Sequence, residues 1–178
     1  MDKEGYVYID ELLEVRDMKR DMVTKDLLLH IIESNDKQRF ALSADKQKIR
    51  ASQGHTITTI DDASIYETIK DPNEIPFIVH GTDKKAWGFI MTQGLNRMAR
   101  THIHFAIGLP GENQVISGMR VSCDVIVQVD VEKAMKAGIV FQKSANNVIL
   151  SRGINDSGII PPDFFKKVTC RYNNTSVE

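Results

Sequence analysis

The feature that most constrains this chain is a run of strict alternation, in which Val121, Cys123, Val125, Val127 and Val129 are separated by Ser122, Asp124, Ile126 and Gln128. Strand side chains change face at every residue, so the pattern specifies a half-buried β-strand. Such a strand needs paired neighbours and a covering layer, which commits the chain to a packed sheet. A length of 178 residues can bury a core of that kind, as one or two small domains. Composition mainly excludes. No apolar run reaches the roughly eighteen residues that would suggest a membrane span, and the polar opening Met-Asp-Lys-Glu-Gly is unlike a secretory signal. Cys123 and Cys170 make neither a disulfide framework nor a metal-ligand spacing. An intracellular protein, cytoplasmic or nuclear, is expected. The net charge of -1 means that any nucleic-acid site must be a local patch.

Ahead of that strand the texture changes twice. A short helix is expected at Asp10-Glu11-Leu12-Leu13 with Asp10 as its N-cap. A second starts near Thr24, with Leu27, Leu28, Ile31 and Ile32 on one buried face. Phe40 and Leu42, then Ile49 and Ala51, alternate on either side of Ala44-Asp45-Lys46, as in a hairpin. Helices followed by a hairpin suit a winged-helix lobe over residues 1–71. Asp71-Pro72-Asn73-Glu74-Ile75-Pro76 reads as a linker. A second lobe is expected over 77–178. There Phe77-Ile78-Val79 forms a strand ending at His80-Gly81-Thr82, and Trp87, Ile90 and Met91 mark a helix closed by Gly94. Ile103 with Phe105, and Val148-Ile149-Leu150, supply further strands, and Gly138 ends a short helix from Lys133.

Four of the five histidines fall in three short motifs: Gln53-Gly54-His55, His80-Gly81-Thr82 and Arg100-Thr101-His102-Ile103-His104. A lone histidine is usually an ordinary surface or core residue. Here each motif combines a histidine with glycine or a hydroxyl, and Gly81 would let a ligand approach the backbone. His102 and His104 share a strand face, which a zinc site could use, but no third ligand has supporting spacing and no metal is expected. Arg39, Arg50, Arg100 and Arg120 stand in distinctive contexts, and guanidinium groups grip phosphate with two prongs. No glycine-rich dinucleotide fingerprint and no phosphate-loop lysine motif is present. The residues alone point to an arginine- and histidine-lined site for polyanions.

Several motifs, in order, resemble the NAD-dependent RNA 2'-phosphotransferases. They are Asn35-Asp36-Lys37-Gln38-Arg39-Phe40, Arg50-Ala51-Ser52-Gln53-Gly54-His55, His80-Gly81-Thr82 and Arg100-Thr101-His102-Ile103-His104. Gly108-Leu109-Pro110-Gly111, Ile116-Ser117-Gly118-Met119-Arg120 and Ser144-Ala145-Asn146-Asn147-Val148-Ile149-Leu150 follow, and the wording resembles eukaryotic members. The resemblance runs from Gly5-Tyr6-Val7 to about Phe165. It implies an α+β chain in which an N-terminal winged-helix-like lobe meets an ADP-ribosyltransferase-like α/β lobe. The implied reaction moves the splice-junction 2'-phosphate of tRNA onto NAD, giving 2'-OH RNA, ADP-ribose 1'',2''-cyclic phosphate and nicotinamide. A homologue that only binds NAD or ADP-ribose, or an ADP-ribosyltransferase acting on nucleic-acid phosphate ends, would share these motifs.

By the same resemblance, Arg39 and Arg100 hold the 2'-phosphate and the migrating phosphoryl group. NAD falls to His80, Gly81, Thr82, His102, Ser117, Gly118, Arg120 and Val148. Of these, His80, His102 and Val148 take the three positions of the transferase triad, with Val148 where many relatives keep glutamate. Lys37, Arg50, Gln53 and His55 face the RNA. The family pattern also has an adjacent Arg-His in a helix preceding Gly5-Tyr6-Val7. The sequence starts after that point, so the expectation is either a piece of a longer protein or a weakened enzyme.

Overall fold

Strand Val125–Val129 stands between two antiparallel neighbours, Val79–Thr82 and Phe165–Cys170, and Thr175–Val177 pairs outside the latter. The computed structural model describes residues 1–109, 112, 115, 118, 119, 122–171 and 175–177; Val121, expected at the start of the central strand, lies outside them. A second sheet orders Glu67–Thr68, Gln142–Lys143, Ile149–Ser151 and Ile103–Phe105, all antiparallel. The two sheets join where Val79 and Ala106 exchange both backbone hydrogen bonds at 2.9 Å. The chain is thus a mixed α/β protein with several sheets.

The central strand differs from its expected half-burial. Val125, Val127 and Val129 enter the main core with Ile78, Phe105 and Phe141, as the alternation requires. Ile126, however, is buried among Val79, Ala106 and Cys123, with Val115 and Met119 packed against them. The face expected to be polar is covered by a second apolar cluster, and only Gln128 is partly exposed.

The first seventy or so residues build a separate small cluster of Ile9, Leu28 and Ile49. The hairpin forms as expected, Phe40–Leu42 against Lys48–Ala51, and Val7–Tyr8 adds a third strand. Thr24 caps helix Lys25–Glu33 through its side chain, which accepts from the Leu27 amide. The apolar face of that helix is narrower than the spacing suggests. Leu28 is buried and Leu29 and Ile32 pack beside it, while Leu27 and Ile31 are exposed. Asp10 is no cap either: helix Ile9–Leu13 starts one residue earlier, and its cap position, Tyr8, makes no side-chain bond.

Two further expectations change. The proline-bearing stretch is an ordered 3-10 turn, Pro72–Glu74, in which Asp71 and Glu74 form a capping box and Ile75 is buried. His80-Gly81-Thr82 ends its strand as expected, opposite Val127, Ile126 and Val125, but that strand begins at Val79 rather than at Phe77. The next helix, Lys84–Gln93, is capped by Asp83 and ends at Gly94, whose φ of 85° suits glycine. Trp87 and Ile90 pack on the core while Met91 stays exposed. Among the described residues no helix is long and apolar enough to cross a membrane.

Candidate active site

The residues of greatest chemical interest gather around segment 52–55, which runs between the first cluster and the second sheet. The Ser52 amide donates to the Arg39 carbonyl at 2.8 Å, and the Ser52 hydroxyl donates to the Gln38 carbonyl at 2.7 Å. At the other end, the His55 carbonyl accepts from the Thr101 amide at 3.0 Å. Arg39 and Arg100 therefore flank one short segment, although they are far apart in sequence. Both are exposed. The loop carrying Arg39 is also tied to the later half of the chain, because Asn146 Nδ2 donates to the Lys37 carbonyl at 3.0 Å. A cleft of about 470 Å³ opens beside it, lined by Asp36, Gln38, Phe40, Ser52 and Asn146 among others.

Behind Arg100 three histidines lie where charge is disfavoured. His80 Nδ1 donates to the His104 carbonyl at 2.9 Å, which fixes that tautomer and leaves Nε2 with its lone pair. Burial lowers the His80 pKa, and the nearby Arg100 guanidinium lowers it further. His104 is pushed down to about 3, first by burial and then by Arg100. His55 is lowered too, chiefly by burial. Its Nδ1 lies 3.0 Å from the Tyr66 hydroxyl, and its Nε2 is near Gly5. The Nε2 atoms of His104 and His55, and Oε1 of Gln53, are buried without a protein partner. The site is thus a guanidinium beside neutral imidazoles, suited to an anion with hydrogen-bonding edges.

A pH dependence of stability follows. These histidines have folded pKa values below the unfolded value near 6.5, so the unfolded chain binds more protons in acid. Their stabilisation is complete above about pH 6.5 and is lost as pH falls toward the folded values. For His104 the loss by about pH 5 amounts to about 2 kcal/mol. Urea unfolding followed from pH 7 to pH 5 should show stability falling, with a shallower fall in His104→Asn. A flat profile contradicts the neutral cluster.

The remaining expected residues are placed as follows. Gly81 lies under Met119: a methyl there would stand 2.3 Å from Met119 Cγ, so a side chain rather than a ligand covers that glycine. Gly118, at φ 107°, rests against the backbone of Phe105 and Ala106, at the joint of the two sheets. Ser117 and Arg120 lie outside the described residues. Thr82 is half-buried at the end of its strand. Val148 is fully buried in a small cluster with Tyr66 and Leu150. Arg50 is set over the Tyr6 ring, 4.8 Å from its centroid, and donates to the Glu4 carbonyl. Lys37 is exposed.

Three residues near the site carried no signal in the sequence. Tyr66 stacks edge-on to His102 at 5.5 Å, and its hydroxyl pKa is pushed well above the ordinary value by burial and by Asp62. The Asp62 carboxylate meets His102 Nε2 at 2.9 Å and Arg152 Nε at 2.9 Å. Among the described residues no group of His, Cys, Asp and Glu is placed to hold a metal ion.

Comparison with known proteins agrees with the motifs. Residues 1–153 match the RNA 2'-phosphotransferase, Tpt1/KptA family. The chain is 44% identical over 172 residues to tRNA 2'-phosphotransferase 1 of Danio rerio, covering 94% of this chain and 75% of that protein. It is 39% identical over 168 residues to a putative tRNA 2'-phosphotransferase of Schizosaccharomyces pombe, covering 93% of this chain but 44% of the other. With tRNA 2'-phosphotransferase 1 of Homo sapiens the identity is 38% over 172 residues, covering 94% of this chain and 66% of that protein. Matches of this extent place the chain among the enzymes of the RNA 2'-phosphotransferase, Tpt1/KptA family.

Proposed function

We propose that this chain removes the splice-junction 2'-phosphate of tRNA by transferring it to NAD. The observation that carries the reading is segment 52–55, pinned to Arg39 at one end and to Thr101, next to Arg100, at the other. Four extended residues span at most about 11 Å between their end Cα atoms, so two long guanidinium side chains can close on one phosphate. The RNA phosphate oxygen bonds to the nicotinamide ribose carbon as the bond to nicotinamide breaks. The neighbouring ribose hydroxyl oxygen then bonds to phosphorus as the bond to the RNA 2'-oxygen breaks, and the hydroxyl proton ends on that oxygen.

Little of this needs a strong acid or base. Charge neutralisation and alignment carry the rate, in keeping with the neutral histidines and the exposed guanidinium groups. The reading gives residues 1–71 to a winged-helix-like lobe for RNA, supported by its helices, hairpin and separate apolar cluster. It gives 77–178 to an ADP-ribosyltransferase-like lobe for NAD, built on the two joined sheets. His80, with Nδ1 committed and Nε2 available, suits a hydrogen bond to the nucleotide. A cytoplasmic or nuclear site of action goes with a tRNA substrate.

The test is incubation with RNA bearing one internal 2'-phosphate and with NAD, separating the products. Nicotinamide and ADP-ribose 1'',2''-cyclic phosphate should appear together with 2'-OH RNA. Accumulation of ADP-ribosylated RNA alone, or NAD binding without turnover, would overturn the proposal.

A further inference from the structure

The strongest group that the proposed reaction leaves unused is Asp62, at the start of the short helix Asp62–Ile65. Its Oδ2 lies 2.9 Å from His102 Nε2 and accepts from both Nε and Nη2 of Arg152, the latter ninety residues away in sequence. His102 is 2% exposed and has its other nitrogen 2.8 Å from Thr101 Oγ1. Thr101 Oγ1 in turn lies 3.1 Å from the His55 carbonyl, to which the Thr101 amide also donates. Tyr66 closes the arrangement, edge-on to His102 and bonded to His55. A chain of contacts therefore runs from Asp62 through His102 and Thr101 to segment 52–55, and Arg100 is the residue next to Thr101.

We infer that Asp62 is a positioning residue: its carboxylate, 2.9 Å from His102 Nε2, favours a proton on that nitrogen and holds Nδ1 against Thr101, which locks Arg100 onto segment 52–55. His102 is 2% exposed and its ring nitrogens stand 2.9 Å from the Asp62 carboxylate and 2.8 Å from the Thr101 hydroxyl, so its part in the site is to support rather than to touch substrate. The carboxylate is ionised for this task. Burial alone would raise its pKa, but hydrogen bonds from His102 and Arg152 carry it below the ordinary value. Arg152 is less enclosed than its partner and supplies the opposite charge. A carboxylate that orients an imidazole through the nitrogen remote from the working end is a general device for fixing a tautomer.

The role depends on an acceptor at Oδ2 more than on a charge, and this separates two substitutions. In Asp62→Ala, Nε2 loses its acceptor and the ring is free to move its proton or rotate. In Asp62→Asn, the amide oxygen can still accept from both His102 and Arg152. The inference rests on the transferase reading for its rate measurement, so one readout is chosen that does not. Long-range proton–nitrogen NMR of the wild-type chain should show His102 protonated at Nε2, and Asp62→Ala should lose that state or mix it with the other tautomer while Asp62→Asn keeps it. In the 2'-phosphate assay, Asp62→Ala should lower kcat by about tenfold or more, since a misplacement near 1 Å at the reacting group has effects of that order. Asp62→Asn should lose less than about threefold, and the KM for NAD should move little in either. An unchanged His102 signal in Asp62→Ala, or equal loss of rate in both variants, would overturn the inference. Absence of turnover in the wild type would instead count against the transferase reading, and the NMR comparison would still decide the role of Asp62.

Discussion

Replacing Arg100 by alanine is expected to lower the single-turnover rate of 2'-phosphate transfer by on the order of a hundredfold or more, about 3–4 kcal/mol of lost transition-state stabilisation. The expectation comes from where the guanidinium sits. It is exposed, it follows a tight turn in which its amide donates to Arg97 O at 3.1 Å, and it depresses His80 and His104 through its charge. A cation next to imidazoles that cannot share its charge is expected to attract a phosphoryl group in transit strongly. The loss should fall on kcat, because charge redistributes on the migrating group as bonds break. Arg100→Lys should restore little, since one ammonium lacks the two-pronged geometry. By contrast Arg120→Ala should chiefly raise the NAD concentration required. Rapid-quench assays with 2'-phosphorylated RNA decide the matter: near-normal turnover in Arg100→Ala removes the central assignment.

Phe105→Ala should cost about 3–5 kcal/mol of unfolding free energy, the range for deleting a large buried aromatic. Phe105 has no exposed surface and meets Phe141 edge-to-face, with centroids 6.1 Å apart. It also meets the His80 ring at 6.1 Å and sits on the strand that carries His104. Its backbone belongs to the joint of the two sheets, beside the Val79–Ala106 bridge and under Gly118. The cavity would therefore weaken the core and loosen the imidazole cluster together. Urea titration with a fluorescence or circular-dichroism readout measures the first effect. A cost below about 1.5 kcal/mol would show that the two sheets do not share one continuous core at this point.

Much of the molecule could be read without its structure where the information was local. Thr24 caps its helix because a hydroxyl followed by a helical pattern satisfies an amide three residues on. The hairpin between Phe40 and Ala51 forms because alternation on both sides of a polar turn leaves one natural register. The order of the histidine and arginine motifs was likewise legible, and it pointed to the family that the comparisons support.

What remained hidden depends on chain segments that meet only after folding. The amphipathic reading of helix Lys25–Glu33 counted Leu27 and Ile31 as core, but burial is decided by what lies opposite, and the described residues cover only the side with Leu28. The second face of Val125–Val129 became apolar because Val79, Ala106 and Met119 arrived from elsewhere. Asp62, Tyr66 and Arg152 gave no pattern at all, since their partners stand up to ninety residues away. Sequence alone thus determined the strongly periodic elements, such as the hairpin, helix Lys25–Glu33 and the central strand, and which residues carry charge and hydrogen-bonding edges, because propensity and periodicity act within a few neighbours. Tertiary structure alone decided which imidazoles are neutral, which glycine is covered and which carboxylate steadies His102, because desolvation and Coulomb interactions depend on distance in space rather than along the chain.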